Sequence, residues 1–533
     1  MTDADLPRMQ LGRSVARHGR GLGSAVVALA VAFSSACSDK AEPPGSSSGG
    51  SPAGGAAGVS GTATGGSATG GTATGGTATG GAGGAATGGA GGSATSGAGG
   101  STTGGTAAGG TTAGAAGSSG AGAGAPAGGA GGAGASSGGA TSGSGGSVTG
   151  GASGAGGAPS GGWVGTWATA QQLTEMTNLP PSPGLSNNTL RQVVYVSIGG
   201  TRVRVKFSNQ YGNAPLTMSA VHLANSTMTH SIGAGSSRAL TFSGTPSVTV
   251  PAGMTVTSDP VDFALTAQTK VAITIAFGST PSDVTGHPGS RTTSFIQTGN
   301  AVNAASFTSP VTTEHWYYIT GIDVEAPATS RAVVTIGDSI TDGRGSTTDA
   351  NNRWPDNLSR RLRSNAATAS VGVLNQGIGG NAVVSGGLGP TGVSRFQRDV
   401  LDQPGVRWVV VLHGVNDIGV AMNQDVVQAL IGAYQGFVTA ARARGVRIYG
   451  VPILPFGGSS YDTPAHEEAR QAVNTWIRGA GNFDAVIDLD AAVRDPMAPA
   501  RLLGTYDSGD RLHLNVAGYQ RMADAIDLAL FAP

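Results

Sequence analysis

Apolar positions fall in two different rhythms along the last 370 or so residues of the chain, and in none before them. From Ala332 onward, short Val/Ile-rich runs alternate with amphipathic stretches. Strands are predicted over 333–336, 371–375, 408–413, 446–453 and 485–489, and helices over 355–364, 424–444, 465–478 and 517–530. That alternation predicts an α/β domain: a parallel sheet with helices on both faces. Between 163 and 327 the period is two. Val203, Val205 and Phe207 alternate with Arg202, Arg204 and Lys206, and the runs 193–198 and 201–208 flank Gly199-Gly200, which predicts a hairpin. Further strands are predicted over 220–224, 238–242, 247–250, 261–265 and 270–276, with no helical period anywhere. An all-β sandwich of jelly-roll type is the expected outcome.

Composition explains the silent part. Of 533 residues 93 are glycine, and 45–162 is built from Gly, Ala, Ser and Thr with an occasional Pro or Val and no charged or aromatic residue. With almost no apolar surface to bury, nothing offsets the backbone's ordering entropy, so a flexible tether is expected. A coil of that length has an end-to-end distance of about 60 Å. Ahead of it, Arg13, Arg17 and Arg20 precede the apolar run 22–33, which is too short to span a bilayer and has the size of a secretory signal core. The run ends in Ser34-Ser35-Ala36-Cys37, and Cys37 is the chain's single cysteine. This end resembles a bacterial lipoprotein signal, which implies a lipidated Cys37 and a membrane contact through the lipid alone; an ordinary signal cut near Ala36 is the other reading. Both export the protein, and the folded part has no disulfide. The expected segments are therefore a signal over 1–37, a linker over 38–162, a β-sandwich over 163–330 and an α/β domain over 331–533.

Charge excludes one class of partner. Net charge is zero and 11% of residues are charged, which leaves no basic patch for nucleic acid. His466-Glu467-Glu468 lacks the second histidine of a zinc helix and reads as a solvated helix start, so neither metal nor cofactor is expected.

The candidate chemistry sits in short blocks at the ends of the predicted strands. Gly337-Asp338-Ser339-Ile340 follows the first, so Ser339 lies on the turn leaving a buried strand. Gly379-Gly380-Asn381 follows the second and Gly414-Val415-Asn416-Asp417 the third. Asp510-Arg511-Leu512-His513 places a carboxylate and an imidazole three residues apart ahead of the last helix. A serine hydroxyl needs a base to take its proton, and histidine titrates near working pH. A carboxylate holds that histidine in the useful tautomer. Gly45-Ser46-Ser47-Ser48-Gly49 also matches a nucleophile-elbow pattern, but no strand precedes it and no helix follows it, so it is discarded.

Over 332–533 these blocks, in this order, resemble the GDSL or SGNH hydrolase family, with GDSI in place of GDSL. The resemblance implies Ser339 as nucleophile, His513 as base and Asp510 as its orienting carboxylate. It further implies an oxyanion hole made from the N–H groups of Ser339 and Gly380, with Gly379 as an alternative to the latter, and the amide of Asn416. The sandwich-plus-hydrolase arrangement is similar to bacterial esterases that include carbohydrate esterases. The expected activity is ester hydrolysis through an acyl-enzyme, on short acyl esters of carbohydrates or related small molecules. A lipase, a lysophospholipase or an acyltransferase shares every residue, and a non-catalytic sugar-binding protein is the alternative from another class. In the β region, 285–289 and 209–212 carry polar groups that could reach an active site, although such loops are more often solvated turns. His413 is expected to be a buried strand-end histidine with its hydrogen bonds satisfied.

Overall fold

Five parallel strands carry the second half of the chain. In the computed structural model, which describes residues 162–532 except Met228, the strand Arg331–Gly337 lies between Val371–Gly377 and Val406–Leu412, followed outward by Arg447–Gly450 and Ala485–Val486. Val333 faces Val373 on one side and Trp408 on the other. Val333, Val334 and Ile336 are fully buried, which is why this strand reads as a continuous apolar run and not as an alternation. Numbered in chain order the strands run 2-1-3-4-5, so the direction of winding reverses beside the first strand. Helices Trp354–Ser364, Asp425–Ala443, Pro464–Arg478 and Val516–Asp524 connect or follow them. Thr463 caps the third by accepting from His466 N, with Pro464 in the first turn. The expected helix 517–530 stops at Asp524, and the remainder is a single 3₁₀ turn, Leu528–Phe531.

Residues 162–326 are β-rich. A five-stranded antiparallel sheet contains Gly162–Ala168, Ile319–Ala326, Gly200–Ser208, Thr255–Thr257 and Val261–Leu265, and a seven-stranded one is centred on Asn188–Tyr195, Lys270–Phe277 and Leu216–Asn225. The predicted strands are there, but the hairpin is not. Asn188–Tyr195 pairs with Lys270–Phe277 and Ser294–Thr298, whereas Gly200–Ser208 pairs in the other sheet with Ile319–Ala326. The chain crosses between sheets at Val196–Gly200. There Ser197 N donates to Thr166 O, and a Cβ on Gly199 would lie 2.4 Å from Leu265 O. Side-chain alternation was legible; strand partnership across two glycines was not.

A third, three-stranded sheet joins Gln172–Leu173, Thr285–His287 and Trp316–Tyr317. The β-rich region and the parallel sheet share one hydrophobic core. Gly165 N donates to Pro404 O at 2.9 Å, Val373 N donates to Ser197 Oγ at 3.0 Å, and Gln268 Nε2 donates to Ser359 Oγ at 2.7 Å. The signal, Cys37 and the Gly-rich linker lie outside the described residues.

Candidate active site

Ser339 opens a four-residue helix, Ser339–Asp342, that follows the strand Arg331–Gly337 directly. The sharp entry needs Gly337, because a Cβ there would lie 2.3 Å from both Leu412 O and Thr341 Oγ1. Asp338 caps the helix, its Oδ1 accepting from Ile340 N at 3.0 Å. Fully buried, the Asp338 carboxyl is pushed up to about 7, chiefly by loss of water, although the bond from Ile340 N works the other way.

Ser339 Oγ lies 2.7 Å from His513 Nε2, and His513 Nδ1 lies 2.6 Å from Asp510 Oδ2. The carboxylate is held in turn by the backbone N–H groups of His513 (2.8 Å) and Leu512 (3.0 Å) on its other oxygen. One turn thus supplies base and orienting group together. Since a carboxylate only accepts, Nδ1 carries a hydrogen and Nε2 is left to accept from Oγ. Partial burial would raise the Asp510 carboxyl, but the bond and charge of His513 outweigh it and hold the group well below the usual carboxylate range. Burial lowers the His513 imidazole; Asp510 opposes this, and the guanidinium groups of Arg344 and Arg291 add to it. The histidine therefore stands neutral and able to take a proton at ordinary pH.

The two other blocks converge on the same place. Val371–Gly377 ends against the nucleophile helix, where a Cβ on Gly377 would lie 2.3 Å from Asp342 N. The loop beyond it carries Gly379 and Gly380, the latter at φ +69°. Asn416 is in the first turn after Val406–Leu412, and its Nδ2 donates to Asn381 O at 2.8 Å, leaving its second amide hydrogen for another acceptor. Tyr461 OH donates to Asn416 Oδ1 at 2.9 Å and so decides which end of the amide is nitrogen. Burial raises the Tyr461 phenol, with Asp338 adding to the effect, so the hydroxyl keeps its proton. No motif surrounds Tyr461; only its loop position, past the fourth strand, could have drawn attention to it.

Beneath the loop lies a polar network. Arg395, fully buried, donates to Gly337 O (2.9 Å), Gln376 O (2.6 Å) and Asn381 Oδ1 (3.1 Å), tying the ends of two strands to the glycine loop. Asp417 accepts from Val383 N and Val384 N. His413 is buried as expected but not fully satisfied. Its Nε2 donates to Asn381 Oδ1 at 3.0 Å, while Nδ1 has no hydrogen-bond partner among the described residues and sits 3.9 Å from Asp338 Oδ2. Burial first, then Arg395, hold this imidazole well below its ordinary value and neutral. The ring nitrogens of His466 face Tyr461 O and Ala421 O.

Of the β-region segments, 285–289 is no solvated turn. Thr285–His287 is a buried strand whose His287 meets Asp342 at 2.9 Å. Tyr211, in 209–212, reaches Arg398 at 3.1 Å instead.

The chain is similar to several solved structures at low identity. A lipase/acylhydrolase from Enterococcus faecalis is 18% identical over 37% of this chain and 92% of its own, with a TM-score of 0.28. Family two carbohydrate esterases from Cellvibrio japonicus and from Clostridium thermocellum, the latter solved with cellohexaose, are each 13% identical. They cover 64% and 67% of this chain and 87% and 91% of their own, with TM-scores of 0.28 and 0.30. No curated protein matches the chain. The sequence model of the GDSL-like Lipase/Acylhydrolase family matches residues 335–521, which span Ser339, Gly380, Asn416, Asp510 and His513, so this part of the chain is a GDSL-like lipase/acylhydrolase domain.

Proposed function

We propose that the protein is an exported ester hydrolase working through an acyl-enzyme on Ser339. The observation that carries this reading is the continuous line Ser339 Oγ, His513, Asp510, with contacts of 2.7 and 2.6 Å. Ser339 Oγ attacks the ester carbonyl as His513 Nε2 takes its proton. The oxyanion is held by the N–H groups of Ser339 and Gly380, or of Gly379 in its place, and by the free amide hydrogen of Asn416. Collapse of the intermediate breaks the bond to the alcohol oxygen, which leaves with the proton from His513. Water then repeats the sequence on the acyl-enzyme, returning Ser339 and releasing the acid.

The substrate class we assign is a short acyl ester, of acetyl type, on a carbohydrate or similar hydroxyl compound. The glycine-rich loop supports it: residues 384–387, which follow Gly379 and Gly380, are all exposed. A long chain gains about 0.8 kcal/mol per methylene only where a pocket receives it. The two antiparallel sheets are read as a sandwich of jelly-roll type, since Val203, Val205 and Phe207 of one and Ile273 and Ile275 of the other belong to one buried cluster. Export and a lipid anchor at Cys37 complete the proposal, on the strength of Arg13, Arg17 and Arg20, the apolar run 22–33 and the small residues before Cys37.

A fluorophosphonate probe tests the chemistry. Stoichiometric labelling that disappears in Ser339→Ala is expected, and folded protein that takes no label would overturn the enzyme reading. On a panel of chromogenic esters and acetylated polysaccharides, acetyl to butyryl groups should show the highest kcat/KM. Efficiency that climbs steadily to chains of ten carbons or more points to a lipase, and product bearing an added competing alcohol points to acyl transfer. Cys37→Ser should move the protein from the membrane to the soluble fraction.

A further inference from the structure

His287 and Asp342 are buried, titratable and unused by the mechanism above. Asp342 is the last residue of the nucleophile helix, one turn after Ser339, and is 1% exposed; His287 is 3% exposed and belongs to the β-rich region. His287 Nε2 lies 2.9 Å from Asp342 Oδ1, and its Nδ1 lies 2.9 Å from Ala170 O. A carbonyl oxygen only accepts, so Nδ1 carries a hydrogen. Nε2 then faces a carboxylate, and the contact is a hydrogen bond only if a further proton lies between them, on the ring or on the acid. The pair therefore holds one proton more than a neutral imidazole and a carboxylate hold between them, and it is electrically neutral. Trp316 favours the charged ring: its plane is stacked on that of His287 with centroids 5.7 Å apart.

The other oxygen of Asp342 sets what the pair does. Oδ2 has no hydrogen-bond partner among the described residues. It lies against two glycines, one from each region. A Cβ on Gly289 would lie 1.8 Å from it, and one on Gly379 would lie 3.5 Å away. This carboxylate is thus wedged beside the loop that presents the oxyanion donors. An unneutralised charge there, on a buried side chain, would repel the negative charge that grows on the ester oxygen.

We propose that His287 is a positioning residue for hydrolysis, supplied by the β-rich region, which neutralises Asp342 and pins the nucleophile helix and the Gly379–Gly380 loop in their working arrangement. This rests on the acyl-enzyme reading. In the full-length chain, assayed on a chromogenic acetyl ester, His287→Ala should lower kcat about tenfold, equivalent to about 1.4 kcal/mol of barrier, and change KM by no more than about twofold. Adding Asp342→Asn to His287→Ala should restore most of the lost kcat, because it removes the orphaned charge. A structural filler would show no such rescue, since the second substitution deletes yet another contact. Unchanged kcat in folded His287→Ala, or a double variant no better than the single one, overturns the proposal. Where His287→Ala does not fold, His287→Gln replaces it with the same two outcomes, as it keeps an N–H for Oδ1 and carries no charge. Fluorophosphonate labelling of the wild type separates the two readings. A wild type that takes no label overturns both, whereas a labelled wild type with an unaffected His287 variant overturns the pair alone.

Discussion

Replacing Tyr461 by phenylalanine removes one oxygen atom, 2.9 Å from Asn416 Oδ1, and little else. The ring stays seated, because it packs so closely on Gly419 that a Cβ there would lie 2.3 Å from it. Asn416 is 7% exposed, so Oδ1 loses its donor where water replaces it poorly. An unpaired buried acceptor costs about 1–3 kcal/mol, and the amide is then left with only its bond to Asn381 O to hold its second hydrogen toward the oxyanion. Complete loss of one such donor costs about 2.7–4 kcal/mol of barrier, or 10²–10³ in kcat, which bounds the effect from above. Loss of orientation alone should cost about 1–2 kcal/mol, a drop of about 5- to 30-fold in kcat with KM nearly constant. The assay is steady-state hydrolysis of a chromogenic acetyl ester by Tyr461→Phe, Asn416→Ala and the double variant. Since Tyr461 is argued to act only through Asn416, its substitution should be nearly silent in the Asn416→Ala background. Wild-type kcat in Tyr461→Phe, or the same fold loss in both backgrounds, would refute the reasoning.

Ser339→Ala and His513→Ala should each abolish nearly all turnover, and the double variant should be scarcely worse than either, as measured by burst and steady-state kinetics. Asp510→Ala should be milder, since Asp510 orients the ring and moves no proton. The acid limb of kcat/KM should fall below the ordinary histidine value of 6.5: burial disfavours the imidazolium, so the free base persists to lower pH, and activity is lost as pH drops through the depressed value. Arg291→Gln removes a cation that opposes protonation, so a pH–rate profile should show that limb moved to higher pH. Arg395→Met strips donors from Gly337 O, Gln376 O and Asn381 Oδ1 together, and urea unfolding should report a loss of about 3 kcal/mol or more.

How much of this was legible in the sequence depends on whether the information was local. Ser339, Asn416 and the Asp510–His513 pair sit in short blocks at strand ends or before a helix, and a strand or helix announces its own position by its apolar period. The parallel strands were read to within a few residues for the same reason, although the last two are shorter in the structure than their apolar runs, at Arg447–Gly450 and Ala485–Val486. The false hairpin at Gly199-Gly200 failed because pairing is decided by partners over 70 residues away, as in Ile273 with Gln192. His413 looked like a satisfied core histidine because a sequence does not show that Asn381 Oδ1 meets only its Nε2 and that no described residue hydrogen-bonds its Nδ1. Tyr461 was invisible as a site residue, and His287 was noticed only as part of the polar segment 285–289, with no sign of the partner it meets. Each is an ordinary residue made specific by a contact with a distant element, 45 residues away in one case and 55 in the other.

The shared core has a consequence for modularity. Val164 lies against Gly405, Gly165 against Leu374, and Ile198 approaches Gly372, so the first strand after the Gly-rich stretch is packed on the hydrolase sheet itself. A gene cut at residue 331 would not release an independent catalytic unit, because it would bare apolar surface along Val371–Gly377 and withdraw His287 from Asp342. Grafting another domain in place of 162–326, or moving 331–533 into a new fusion, amounts to dividing one folded body, and recombination in nature faces the same barrier. A cut before Gly162, by contrast, leaves the shared core of 162–532 undivided.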